Sequence, residues 1–167
     1  TMRLNGARRN WGRCLATRFF LIIPIGKTGS VVADQSPSSL MGLLLDTHAA
    51  LWWLADATAL PREAKAAIAG AVNGEGVFVS SVSVLEVAEQ SGRRQMPPAA
   101  TFVADLEASG FRLLAFDTQD AIAVEDLPRI HSDPLDRAIA AQAQRRQLTL
   151  MTSDQRLAQY PIAIYRL

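Results

Sequence analysis

The chain has 167 residues, 49% hydrophobic and 20% charged, with a net charge of +1. This is ordinary globular composition, long enough for one domain with a sizeable core. A single cysteine, Cys14, excludes an intramolecular disulfide framework and any cysteine-based zinc cluster, and fits a reducing, cytoplasmic setting; no apolar run approaches the ~18 residues of a membrane-spanning helix.

The near-neutral total hides an asymmetry. Residues 1–40 carry Arg3, Arg8, Arg9, Arg13, Arg18 and Lys27 against Asp34 alone, a net +5. Residues 41–167 carry eleven basic and fifteen acidic groups, a net −4. A basic overall charge therefore gives no argument for nucleic-acid binding, which would have to rest on local arginines and a cation. Residues 1–40 show no sustained periodicity. Arginines precede a short apolar island at 19–25, and Ser36-Pro37-Ser38-Ser39 reads as linker. A signal peptide is one reading, but the island is short and lacks an obvious small-residue cleavage site. The segment reads better as a disordered N-terminal extension, or as sequence upstream of a start at Met41. The working domain is then 41–167.

From Gly42 onward, short apolar strands alternate with helical patterns. A strand over 43–45 runs into a helix over 47–54. A second helix opens at Pro61, where proline suits the first turn, and reaches about Val72. A β-branched strand spans 77–80. Helices follow at 83–91, closed by Gly92, and at 97–109, closed by Gly110. A strand at 112–116 leads to a helix at 118–125, then an alanine-rich helix at 134–146. Strands at 149–151 and 162–165 complete the chain. Strands alternating with helices imply right-handed crossovers, hence an α/β fold with a mostly parallel sheet of four to five strands.

Four acids stand at strand-to-helix junctions: Asp46, Glu86, Asp136 and Asp154. Each has an ordinary explanation. Asp46 can cap the helix that starts at Thr47. Ser83-Val84-Leu85-Glu86 fits a capping box with Ser83 as N-cap. Asp133-Pro134-Leu135-Asp136 reads as N-cap, N1 and N3. Ser153 or Asp154 can cap the segment after the fourth strand. Negative groups there also complement helix dipoles. Their conjunction adds a second reading. Strand ends of a parallel sheet share one edge, where ligands bind in open α/β folds. Crowded carboxylates would raise one another's pKa values, and a divalent cation relieves that penalty. Oxygen donors without cysteine favour Mg²⁺ or Mn²⁺ over zinc. Such a centre suits phosphodiester hydrolysis. Thr47, Ser83 and Ser153 could position water or phosphate, or serve only as cap and turn residues.

The ordered set Leu44-Leu45-Asp46-Thr47-His48-Ala49-Ala50-Leu51-Trp52-Trp53, Ser80-Ser81-Val82-Ser83-Val84-Leu85-Glu86, His131-Ser132-Asp133-Pro134-Leu135-Asp136-Arg137, Ala140-Ala141-Gln142-Ala143 and Met151-Thr152-Ser153-Asp154 resembles the PIN-domain ribonucleases. Within them it is similar to the VapC-like toxins of bacterial type II toxin–antitoxin systems. The resemblance covers residues 42–167 in order, spacing and neighbours. It implies a three-layer α/β/α domain in which Asp46, Glu86, Asp136 and Asp154 hold one or two Mg²⁺ or Mn²⁺ ions. It further implies hydrolysis of single-stranded RNA or exposed RNA loops by a metal-activated water. A homodimer and a small cognate antitoxin that blocks the site are implied as well. Residues 1–40 have no counterpart in the pattern.

The neighbours of the four acids carry their own expectations. His48 and His131 could be general bases, but packing or hydrogen bonding beside the site is preferred, because a metal hydroxide needs no such base. Asp133 reads as a cap. Arg137 could contact RNA phosphate or pair with a nearby acid. Arg93-Arg94 and Arg145-Arg146 read as solvated helix ends, with phosphate contact as the sharper alternative. Trp52 and Trp53 are adjacent and cannot share a helix face, so one should enter the core and the other stay exposed for an antitoxin, dimer or base-stacking contact. Ala138, Ala140, Ala141 and Ala143 permit close helix packing. An aspartyl-phosphate phosphatase would want an aspartate where His48 stands, and a dinucleotide-binding turn would want glycines after Asp46. The remaining alternative is a non-catalytic PIN-like module that binds RNA or protein.

Overall fold

The computed structural model describes residues 42–167 apart from 93–95; the expectations for residues 1–40, Met41 and Arg93-Arg94 lie outside the described residues. Leu43–Leu45 form β1, and all three side chains are fully buried. A strand apolar on both faces belongs in the middle of a parallel sheet covered by helices on each side. β1 indeed pairs in parallel with β2 (Val77–Ser80) on one side and β4 (Thr149–Thr152) on the other. β3 (Arg112–Leu114) and β5 (Ile164–Arg166) complete a five-stranded, all-parallel sheet in the order β3-β2-β1-β4-β5.

Alternation along β1 divides the core in two. Leu43 and Leu45 face the first layer, where they meet Val77, Val79, Ile68, Phe102, Leu106 and Phe111. That layer contains α1 (Thr47–Leu54), α2 (Arg62–Val72) and α4 (Ala99–Ala108). Leu44 faces the opposite layer with Leu150, Ile139, Ala140, Ala141 and Tyr160. There α6 (Pro134–Arg146) lies flat on the sheet, because Ala140, Ala141 and Ala143 are completely buried and let the helix approach closely. α3 (Ser81–Gln90) contributes Val87 to one core and Val82 to the other. The result is the three-layer α/β/α arrangement expected from the sequence.

Several boundaries differ from the sequence reading. α3 starts at Ser81 with Ser80, not Ser83, as N-cap; the Ser80 hydroxyl accepts from the Val82 N–H at 3.0 Å. The chain must turn at the end of β2, so the serine at that point takes the cap, and Ser83 is carried inside the helix and buried. Glu86 therefore lies in the second turn and belongs to no capping box. β3 stops at Leu114, and the Phe116 N–H bonds instead to the Ser81 hydroxyl. Pro61 precedes α2 as its N-cap residue rather than opening the helix. α5 (Thr118–Ala123) is shorter than expected and begins with a capping box made by Asp117 and Asp120. Neither tryptophan is exposed: Trp52 and Trp53 both pack against the first core, and the Trp53 ring lies 5.6 Å from that of Phe111.

The strand order places the sheet's switch point between β1 and β4, since the chain leaves β1 toward β2 and returns on the other side at β4. Ligand sites of open α/β sheets form outside the carboxyl ends of strands at such a point. Asp46 directly follows β1, and Asp154 lies two residues past β4.

Candidate metal centre

Asp46 is held by its own helix and by the neighbouring strand. Its Oδ1 accepts from the Ala49 N–H at 2.6 Å, capping α1, and its Oδ2 accepts from the Thr152 hydroxyl. The Thr152 oxygen in turn accepts the Asp154 N–H at 2.9 Å. Thr152 is fully buried, so its one proton has a single destination and the hydroxyl locks Asp46 to the end of β4. Asp154 caps the turn that follows, accepting from the N–H groups of Arg156 at 2.6 Å and Leu157 at 3.2 Å. Asp136 stands in the first turn of α6, behind the Asp133 cap and Pro134 at the helix start, as the sequence implied. Glu86 projects from α3 and accepts from Gln90 at 3.0 Å.

Capping and crowding thus coexist. Burial pushes the Asp46 carboxyl above the usual 3.8, against the hydrogen bonds from Thr152 and Ala49 and the pull of His48, while Glu86 adds to the rise. Burial likewise pushes Asp136 up to about 6; His131 opposes this, and Asp133, Glu86 and Asp154 reinforce it. All four acids are therefore linked: Glu86 acts on both Asp46 and Asp136, and Asp154 acts on Asp136. Among the described residues, the tightest convergence of ligand atoms is one each from His131, Asp136 and Asp154, mutually within 4.8 Å. Asp46 and Glu86 lie outside this trio.

His131 sits beside the site as the sequence reading preferred. Its ring nitrogens lie 3.4 Å from Asp136 Oδ2 and 3.5 Å from Asp154 Oδ2. Because Nδ1 accepts the Asp133 N–H at 3.0 Å, the neutral ring carries its proton on Nε2, facing Asp154. Thr152 was missed, and no local pattern marks it, because its partner is 106 residues away. Two expectations for arginines are refined. Arg137 pairs with no acid among the described residues. Its guanidinium donates to the carbonyls of Pro128 and Val124, both at 2.9 Å, and clamps the loop before α6. Arg145 and Arg146 are exposed at the end of α6, as read, but also pair with Asp117 and Asp120.

These residues fit a hard divalent cation. Mg²⁺ takes oxygen ligands at about 2.0–2.1 Å, which suits the Asp136 and Asp154 carboxylates, whose oxygens fall within 4.8 Å of each other, while the His131 ring, already hydrogen-bonded, stands beside them. A bound cation would also offset the burial and the neighbouring carboxylates that together lift Asp136. Thr47 Oγ1 and Ser83 Oγ are buried and have no hydrogen-bond partner among the described residues. Such orphaned oxygens are available to a ligand or its waters.

The raised Asp136 pKa fixes the sign of a stability effect. A carboxyl at about 6 when folded and 3.8 when unfolded keeps its proton longer in the folded protein. Metal-free stability should therefore fall as pH rises from roughly 4 to 6 and stay lower above that, by at most about 3 kcal/mol. Asp136→Asn is expected to remove this fall and raise the melting temperature of EDTA-treated protein near neutral pH. Unchanged melting curves for the variant across that window would contradict the raised Asp136 pKa.

The five-stranded parallel sheet with helices on both faces and acids at its carboxyl edge defines the general class as an open α/β domain. The PIN domain family model matches residues 43–163, so the chain belongs to the PIN domain family. Among solved structures, the VapBC2 complex of Rickettsia felis bound to a promoter DNA fragment shares the fold with a TM-score of 0.58 and 14% identity, covering 76% of this chain and 99% of that one. The DNA-bound VapBC of Salmonella typhimurium does so with a TM-score of 0.56 and 21% identity, covering 76% and 98%. No curated protein matches the chain. Among the described residues no helix is long and apolar enough to cross a membrane.

Proposed function

We propose that this chain is the toxin of a type II toxin–antitoxin pair: an endoribonuclease that hydrolyses RNA phosphodiester bonds with a divalent metal ion. The observation that carries the reading is the convergence of Asp136 and Asp154 beside His131 at the edge of a PIN-domain sheet, with Asp46 at the end of β1 and Glu86 in electrostatic reach of both Asp46 and Asp136. Asp46, Glu86, Asp136 and Asp154 would hold Mg²⁺ or Mn²⁺. Such an ion, when bound, lowers the pKa of a coordinated water and stabilises the charge that grows on the phosphoryl group.

The chain's own part is preorganisation. Thr152 and the Ala49 N–H hold the Asp46 carboxylate in one orientation, and the turn after β4 does the same for Asp154. The positive end of the α6 dipole lies under Asp136 and favours its ionised form. Because all these groups stand on strand ends and first helical turns, their spacing is set by the sheet. The working unit is residues 41–167, with 1–40 an extension outside it. Family membership and the fold shared with two VapBC complexes support an antitoxin partner; the homodimer rests on the sequence resemblance. A binding module without catalysis would need no such set of four acids.

The test is cleavage of labelled total RNA by the purified full chain, freed of any co-purifying protein. Cutting is expected with Mg²⁺ or Mn²⁺ and not with EDTA. Intact RNA under every metal condition would overturn the reading.

A further inference from the structure

The loop between α5 and α6 and the turn after β4 enclose a groove of about 510 Å³, lined by Arg129, Ile130, His131, Ser132, Arg137 and Arg156. None of these lining residues is an acid. His131 belongs to both the groove and the carboxylate cluster, so the groove opens directly beside Asp136 and Asp154. Its three arginines differ in availability. Arg137 is committed to backbone carbonyls. Arg129 and Arg156 are exposed, and their guanidinium groups make no hydrogen bond or ion pair among the described residues. Arg145 and Arg146, by contrast, are neutralised by Asp117 and Asp120. The two available guanidinium groups thus border the acidic centre that a polyanion would have to approach.

We propose that this groove binds the sugar-phosphate backbone of single-stranded RNA, with Arg129 and Arg156 each holding a phosphate beside the scissile bond. The proposal rests on the nuclease reading, which supplies the reason for a strand to run from groove to cluster. Residues 41–167 carry a net −4, so a strand that approaches the acidic cluster needs uncompensated cations beside it, and Arg129 and Arg156 stand there. The planar guanidinium fork matches two phosphate oxygens, and Ile130 offers an apolar surface to a ribose or base. An acidic peptide could also meet the arginines, but its following carboxylates would face Asp136 and Asp154. An RNA strand brings to that point the bond to be cut.

The experiment is fluorescence anisotropy with a labelled oligouridylate, with the protein carrying Asp46→Asn in Mg²⁺ so that the strand stays whole. Adding R129Q and R156Q is expected to weaken binding roughly tenfold at low salt. The same pair should flatten the plot of log affinity against log salt by about 1.4, near 0.7 for each phosphate that is no longer neutralised. Each single substitution should give about half of that change. Melting temperatures should not move, because both side chains are exposed and unpaired. Unchanged affinity and salt slope would overturn the proposal. So would loss of affinity for an oligoglutamate peptide with RNA binding intact, which would assign the groove to an acidic peptide. A wild-type protein that binds the RNA through these arginines but never cuts it would uphold the groove and sink the nuclease reading.

Discussion

Asp46→Asn is expected to cut RNA at least roughly a hundredfold more slowly than the wild type while unfolding at a similar temperature. The magnitude follows from position: losing even the outer partners of a metal-bound group costs roughly 10–100-fold, and Asp46 stands for a ligand itself. The structural neutrality has a separate cause. Asparagine is as good an N-cap as aspartate, so the bond to the Ala49 N–H survives. The amide also removes a buried charge whose ionisation is already disfavoured. Against these gains, the Thr152 proton loses its acceptor, a cost of about 1–3 kcal/mol. Asp46→Ala would mix the two effects, because it removes the cap as well. A variant that cleaves within a few fold of wild type would return Asp46 to a purely structural role.

The largest effect on stability should come from Asp120, far from the acids of the site. Its side chain is completely buried, yet both oxygens are engaged. Oδ2 accepts from the Asp117 N–H and from Gln142, each at 3.0 Å, and from Arg146 at 3.2 Å; Oδ1 accepts from Arg145 Nε. Asp117 closes the network by receiving both arginines at 2.7 Å. Burial opposes ionisation of Asp120, but the hydrogen bonds from Arg145 and Arg146 outweigh it and hold the carboxyl far below the usual range. This stability is therefore present above pH ~4 and lost as pH falls below it. Asp120→Ala leaves Gln142 without that acceptor and the two arginines facing one another beside a single exposed carboxylate. The arginines left behind are partly solvated and keep Asp117, so the cost is that of the lost charge-assisted hydrogen bonds, about 2–3 kcal/mol, or roughly 5–10 °C in melting temperature for a domain of this size. Asp117→Ala, at the half-exposed end of the network, should cost much less. Comparable melting temperatures for wild type and Asp120→Ala would show that the network contributes nothing net.

These two aspartates mark what was legible in the sequence. Asp46 could be read because its signal is local: an apolar strand, a carboxylate and a helix within a dozen residues. The α6 start was legible for the same reason, since Asp133 and Pro134 announce it. Asp120 shows locally only as a capping-box partner of Asp117, because the side chains it binds lie 22 to 26 residues away on another helix. Thr152 was obscured in the same way; it gains its role only when β4 is brought to the edge of β1. Ser80 and Ser83 show a different limit. Several serines in a row can each cap a helix, and the end of β2, set by pairing with β1 and β3, selects the first of them.

Binding of Mn²⁺, followed by loss of its free electron-paramagnetic-resonance signal, tests the shared site most directly. The wild-type protein should take up the ion, and Asp46→Asn, Glu86→Gln, Asp136→Asn and Asp154→Asn should each weaken the uptake tenfold or more. Uptake that is absent from the wild type, or equal in all five proteins, would contradict a metal centre built from these four acids.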